Sequence, residues 1–186
     1  MGTKQRIALV PGHTMESPGA MGVQPIGKHE RYWAADFAQA LTTILQPQFE
    51  VTIFFRDGKT IEETYEIVSK WAPDASIEAH FNAEPSGFAR GSQTIVNPKW
   101  EAFGIEIQKA MVSSLVRVGQ EDRGVEVILP GDTDTRGWCS VKGLDYPCAL
   151  IEPFFGSNPG ECRLFFDRQQ ELCEGIFDAL RLFLAQ

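Results

Sequence analysis

The hydrophobic positions of this chain follow two alternating periods. Short apolar runs that read as buried strands occur at 6–11, 50–55, 75–79, 93–96, 125–129 and 148–153. Between them, apolar residues recur at helical spacing. Trp33, Phe37, Leu41, Ile44 and Leu45 mark one stripe, and Ile61, Tyr65 and Val68 a second. Trp100, Phe103, Ile107, Met111, Leu115 and Val118 mark a third, and Phe165, Leu172, Ile176, Leu180 and Phe183 a last one. Strands alternating with helices predict an α/β fold, a twisted and mostly parallel β-sheet of about six strands with helices on both faces. No repeat, low-complexity tract or linker interrupts the pattern, so residues 1–186 read as a single domain. In such a sheet ligands bind beyond the carboxyl ends of the strands.

Composition narrows the classes of function. The chain has 186 residues, 43% of them hydrophobic, which is enough to bury a core. No apolar run approaches the roughly 20 residues of a bilayer span. The net charge is −8 and no block of Lys or Arg stands out, which argues against nucleic acid as a partner and against a basic membrane-surface helix. The first apolar run begins within a few residues of Met1, leaving no room for a secretion signal of about 15–30 residues. The expectation is therefore synthesis and folding in a cytoplasm. Cys139, Cys148, Cys162 and Cys173 form no C-x-x-C pair. They read as reduced, mostly buried thiols, with a structural disulfide or a metal role as the alternatives.

Two of the three histidines stand at predicted strand ends: His13 follows Pro11-Gly12, and His80 closes the third apolar run. A histidine at a strand end is either a hydrogen-bonded structural residue or a ligand. Glu30 bears on the choice. It shares the inward helical stripe of Trp33, Ala34, Phe37 and Leu41, so its carboxylate faces the sheet and needs a compensating charge. The alternative is a helix-dipole partner, worth about 0.3–1 kcal/mol, but such a residue would normally face water. Two histidines and a glutamate form a ligand set for catalytic zinc that leaves a fourth position open. His29 is a rival, but one residue along a helix is a turn of about 100°, away from that stripe. Glu152 interrupts the most apolar strand of the chain. Burying a carboxylate there is costly unless it serves a metal, a proton, catalysis or an ion pair.

These residues lie in motifs that resemble one family. Val10-Pro11-Gly12-His13 with Ser17-Pro18-Gly19-Ala20 is similar to the opening "DPGHGG…DPGA" of the zinc-dependent N-acetylmuramoyl-L-alanine amidases. Glu30 stands where that family has its ligand glutamate. His80-Phe81-Asn82-Ala83 resembles its "HxNA", Ser86-Gly87-Phe88 the "GF" that follows, and Arg123-Gly124-Val125 its "RGVK". The stretch from Ala149 to Pro159 is similar to "AVLVEtgFisNP". The order and spacing hold over nearly the whole chain. The resemblance implies that His13, Glu30 and His80 bind Zn2+ and that Glu152 is the catalytic carboxylate. The chain departs from the pattern at Val10, at Thr14-Met15 and at Glu78, where many members have Ser. Arg56 is the clear survivor of an arginine-rich middle region.

The implied activity is hydrolysis of the amide between N-acetylmuramic acid and L-alanine of peptidoglycan, with peptidoglycan or a muropeptide as the partner and protein partners undefined. The implied role is that of an endolysin-like enzyme acting on the cell wall after release or export. A zinc hydrolase of soluble muropeptides in recycling, or a catalytically silent wall-binding module, are the alternatives. The long connection at 131–146 leads into the Glu152 strand. Arg136 and Trp138 in it are candidates for substrate binding, through a stem-peptide carboxylate and a sugar face. The alternative is a solvated loop packed by Trp138.

Overall fold

A computed structural model of the chain describes residues 3–115, 121–129 and 137–185. Among these, β1 (Arg6–Pro11), α1 (Glu30–Leu45), β2 (Glu50–Ile53), α2 (Ile61–Trp71), β3 (Ala75–Ala79) and β4 (Ser92–Val96) follow in order. A 3₁₀ turn (Pro98–Trp100) then leads to α3 (Glu101–Leu115), β5 (Asp122–Val127), α4 (Trp138–Val141), β6 (Cys148–Glu152) and α5 (Pro159–Phe183). The strands form one sheet in the order β2-β1-β3-β6-β4-β5. All neighbours run parallel except β4, which is antiparallel to β6. The expected α/β domain with a mostly parallel sheet is therefore what the chain forms. Val118, from the third helical stripe, lies outside the described residues.

Every residue of β3 and β6 is buried, which is why both read as short continuous runs rather than alternating ones. Strand boundaries differ from the sequence reading by one to three residues. β2 stops at Ile53, although the Phe54 amide still donates to Leu9 O at 2.8 Å. β5 starts at Asp122, three polar or small residues before the expected 125, because pairing with β4 satisfies the backbone whatever the side chains are.

Helices cover both faces. On one, Trp33 stacks on Phe37 with centroids 5.4 Å apart and meets Phe154 and Phe165 edge-on at 5.2 and 5.3 Å. Phe81 joins the cluster at 5.5 Å from Trp33. Truncating one such buried aromatic costs about 3–5 kcal/mol. Phe81 directly follows His80, and Phe154 follows Glu152-Pro153. The cluster therefore anchors the chain just beyond the two strand ends that carry chemistry. On the other face, Val10, Ile95 and Leu150 pack with Tyr65 and Val68 of α2 and Val141 of α4.

The reversal of β4 and β5 has a geometric consequence. Their first residues lie at the end where the parallel strands finish, and Gln93 pairs with Glu152. Val127 and Cys148, which bound the connection into β6, therefore lie at the opposite end. The connection therefore leaves β5 and enters β6 at the end of the sheet away from His13, His80 and Glu152. The connection also contains α4, so it is not one open loop. It returns over the middle of the sheet at Gly137, where a β-carbon would stand 3.3 Å from Ile95 and Leu150.

Among the described residues no helix is long and apolar enough to cross a membrane. All four cysteines carry free thiols, and Cys148, Cys162 and Cys173 are buried.

Candidate metal centre and active site

His13 leaves β1 in the left-handed region, with φ 64°, which is uncommon for a residue other than glycine. The turn after it folds back so that Pro18 O accepts from Arg31 N at 3.0 Å and Ala20 O from Glu30 N at 2.9 Å. These carbonyls satisfy amides at the start of α1 that a helix cannot satisfy internally, and His29, its N-cap, makes no side-chain cap bond. Glu30 is thereby fixed as the first residue of α1, above the Trp33 stripe, and it is buried. The buried Arg31 braces the arrangement. Its guanidinium grips Asp57 at 2.6 and 3.2 Å, and Asp57 also accepts from Met15 N at 2.9 Å.

Glu30 is the hub. Its Oε2 lies 3.0 Å from His13 Nε2, and its Oε1 lies 2.8 Å from His80 Nδ1 and accepts from Phe81 N at 3.2 Å. One donor atom from each of His13, Glu30 and His80 falls within 4.8 Å of the others. Glu30 and His80 are buried and His13 is partly exposed, so the cluster is open on the His13 side. Two glycines make room for it. A β-carbon on Gly12 would stand 2.3–2.6 Å from the His80 ring. One on Gly19, whose φ is +75°, would stand 2.7 Å from the His13 ring and 2.9 Å from Glu30 Cβ.

Burial works to raise the Glu30 pKa, but the hydrogen bonds and charges of His13 and His80 outweigh it and hold the carboxyl down at about 2. Burial likewise pulls His80 down, against hydrogen bonds to Glu30 and Glu78 that carry it up to about 9. Without a cation, His80 is thus an imidazolium at neutral pH that donates from both ring nitrogens. Two imidazoles and an ionised carboxylate converging in this way suit a zinc ion in donor type, number and charge. His29 is turned elsewhere, its Nδ1 3.1 Å from Gly19 O, as its offset on the helix predicts.

Glu152 ends β6 and is fully buried. Ala79 pairs with Ile151, and the His80 amide donates to Ile151 O at 2.9 Å. His80 and Glu152 are therefore neighbours one step further along adjacent strands, on the face shared by Glu78 and Leu150. Glu161 ties the residue just before β4 to the segment after β6, accepting from Gly91 N at 2.9 Å and Phe155 N at 3.0 Å. Phe88 lies in the segment between β3 and β4 and is exposed. Arg136 lies outside the described residues. Trp138 is the first residue of α4.

The sequence reading left a second group without a role. Glu78 is fully buried and accepts from His80 Nε2 at 2.9 Å, Arg56 Nη1 at 3.2 Å and Tyr65 Oη at 2.6 Å. Burial raises its pKa, but His80 and Arg56 outweigh this and hold it at about 2. The signal was present in the sequence. A carboxylate two residues before His80 in a strand must share its face.

The sequence profile of the N-acetylmuramoyl-L-alanine amidase family matches residues 7–181. No curated protein matches the sequence. Several solved structures share the fold. The catalytic domain of CwlV, an N-acetylmuramoyl-L-alanine amidase from Bacillus (Paenibacillus) polymyxa var. colistinus, superposes with a TM-score of 0.81 at 21% identity, over 97% of this chain and 98% of that one. An N-acetylmuramoyl-L-alanine amidase from Clostridium difficile 630 gives 0.81 at 20% identity, over 100% and 99%. The catalytic domain of the CD27L endolysin, which targets Clostridia difficile, gives 0.73 at 19% identity, over 96% and 97%.

Proposed function

Because the chain belongs to the N-acetylmuramoyl-L-alanine amidase family, we propose that it is a zinc-dependent peptidoglycan hydrolase that cuts between N-acetylmuramic acid and the L-alanine of the stem peptide. The observation that carries this reading is the bridge made by Glu30 between His13 and His80, with Glu152 one register step away on β6. His13, Glu30 and His80 would hold the zinc. When bound, the ion supplies Lewis acidity toward the scissile carbonyl and lowers the pKa of water at the site.

Glu152 would accept the proton of the attacking water and pass it to the alanine nitrogen as the C–N bond breaks. One water is consumed. The products are a lactyl carboxylate on the glycan and a peptide with a free amine. Burial at the end of an apolar strand suits a carboxylate whose task is proton transfer. The open side at His13 leaves room for substrate. Arg136 and Trp138 would contact the stem peptide and the sugar. Supporting this, Gly137 lies over Leu150, two residues before Glu152 on the same face. The site of action is the cell wall, in the manner of an endolysin.

Metal analysis together with mass spectrometry of digested sacculi tests the proposal. One zinc per chain and release of stem peptides with a free L-alanine amine are expected. Zinc-free protein that binds sacculi without cutting them would instead make it a wall-binding module. Cleavage confined to soluble muropeptides would place it in recycling.

A further inference from the structure

Three donors converge on the Glu78 carboxylate in a place where water does not reach. Its Oε1 accepts from His80 Nε2 and Arg56 Nη1, and its Oε2 from Tyr65 Oη. Arg56 comes from the segment after β2 and Tyr65 from α2, so two elements outside the Glu30–His13–His80 cluster are committed to one side chain. A buried carboxylate is costly unless its oxygens are satisfied, and here they are. The side chain it holds is itself clamped. His80 is pinned between Glu78 at 2.9 Å and Glu30 at 2.8 Å, with no room between its ring and Gly12 for a β-carbon.

The two ring nitrogens of His80 are not equivalent in this arrangement. Nδ1 faces Glu30, a member of the three-donor cluster, whereas Nε2 faces Glu78, which is not one. An ionised carboxylate only accepts hydrogen bonds, so the nitrogen that faces Glu78 must carry a hydrogen. That leaves Nδ1 as the nitrogen with a lone pair to offer once its own proton departs. A carboxylate behind a metal-binding imidazole fixes the tautomer, orients the ring and raises its basicity.

We infer that Glu78 is a positioning residue for the metal centre, anchored by Arg56 and Tyr65, that holds His80 as the Nε2–H tautomer so that Nδ1 is presented to the cation. The inference rests on the zinc reading proposed above. It makes Arg56 and Tyr65 supports of Glu78 rather than substrate contacts. It also makes the buried Glu78 a feature of this chain's site that a small hydroxyl side chain at that position would not reproduce.

The test uses zinc itself and does not read turnover. Nitrogen-15 NMR of the zinc-loaded wild-type protein should show His80 protonated at Nε2 and bound through Nδ1. Zinc affinity, measured by competition with a chromophoric chelator, should fall about 10–100-fold in Glu78→Ala. Glu78→Gln keeps one acceptor oxygen for Nε2–H while losing the charge and the second acceptor, so it should keep the tautomer and lose less affinity than Glu78→Ala. Tyr65→Phe removes a support but leaves the Glu78–His80 bond, and should bind zinc nearly as the wild type does even where its Tm is lower. If Glu78→Ala does not fold, the wild-type tautomer and the Glu78→Gln affinity still decide. Zinc bound through Nε2, or unchanged affinity in folded Glu78→Ala, would overturn the role of Glu78 alone. Wild-type protein that takes up no zinc would overturn the metal reading, and this inference with it.

Discussion

Glu30 Oε1 lies 2.8 Å from His80 Nδ1, although the two residues are 50 positions apart in the chain. The same oxygen accepts from the Phe81 amide, so the start of α1 is joined to the end of β3 by one carboxylate. Phe81 and Trp33 then pack behind that junction. A charged contact and an apolar contact thus fix the same two elements, and the donors stay converged without relying on either alone.

Removing either imidazole should empty the site. His13→Ala and His80→Ala are expected to lose zinc after dialysis, because a carboxylate and one imidazole make a poor zinc set. His29→Ala should keep its zinc, since that ring bonds only Gly19 O among the contacts described for it. Loss of zinc from the His29 variant would mean that the ligand assignment is wrong.

Glu152→Gln should hold zinc at the wild-type level while turnover falls by roughly 10²–10⁴-fold, the usual contribution of a positioned proton acceptor. Metal content and single-turnover kinetics on the same preparation check both halves. A zinc-deficient variant would make Glu152 a ligand, and a fully active one would leave it no role in proton transfer.

Gly12→Ala should damage the centre without touching a ligand. Its β-carbon would stand within 2.3–2.6 Å of a His80 ring that Glu30 and Glu78 hold from both sides, so the ring must shift. The expected outcome is a stability loss of about 1–3 kcal/mol, as for other overpacked sites, together with weakened zinc binding. Denaturant unfolding and chelator competition measure the two effects. Wild-type zinc affinity in this variant would show that the ring is not confined.

The metal-free protein should have a bounded pH range of greatest stability. The His80 pKa rises from 6.5 to about 9 on folding, so its contribution is complete below pH 6.5 and is lost as pH rises through 9. Glu30 and Glu78 fall from 4.5 to about 2, so theirs is complete above pH 4.5 and is lost as pH drops through 2. With chelator present, Tm should be highest between those limits and fall on both sides. A Tm that climbed steadily from pH 6.5 to 9 would contradict a charged His80.

Replacing Arg136 and Trp138 together by Ala should raise KM on a soluble muropeptide and leave zinc content unchanged, if their contacts are made equally in the ground and transition states. Steady-state kinetics decide it, and unaltered constants would leave the connection before β6 a purely structural one.

Much of this molecule is determined locally. The strand and helix periods, the placement of His13 and His80 after strands, and the inward face of Glu30 all follow from side-chain spacing, because a strand repeats every two residues and a helix every 3.6. Glu152 is legible for the same reason, as a charge in a run that is otherwise apolar. Tertiary structure decided what spacing cannot encode. The reversal of β4 moves the connection into β6 to the far end of the sheet, and it depends on which strands pair, a choice made by the packing of whole layers. β5 begins among polar residues because a neighbouring strand satisfies its backbone. The task of Glu78 was hidden because its partners, Arg56 and Tyr65, come from two other elements. Only folding brings them to one carboxylate, in a place dry enough for their hydrogen bonds to matter.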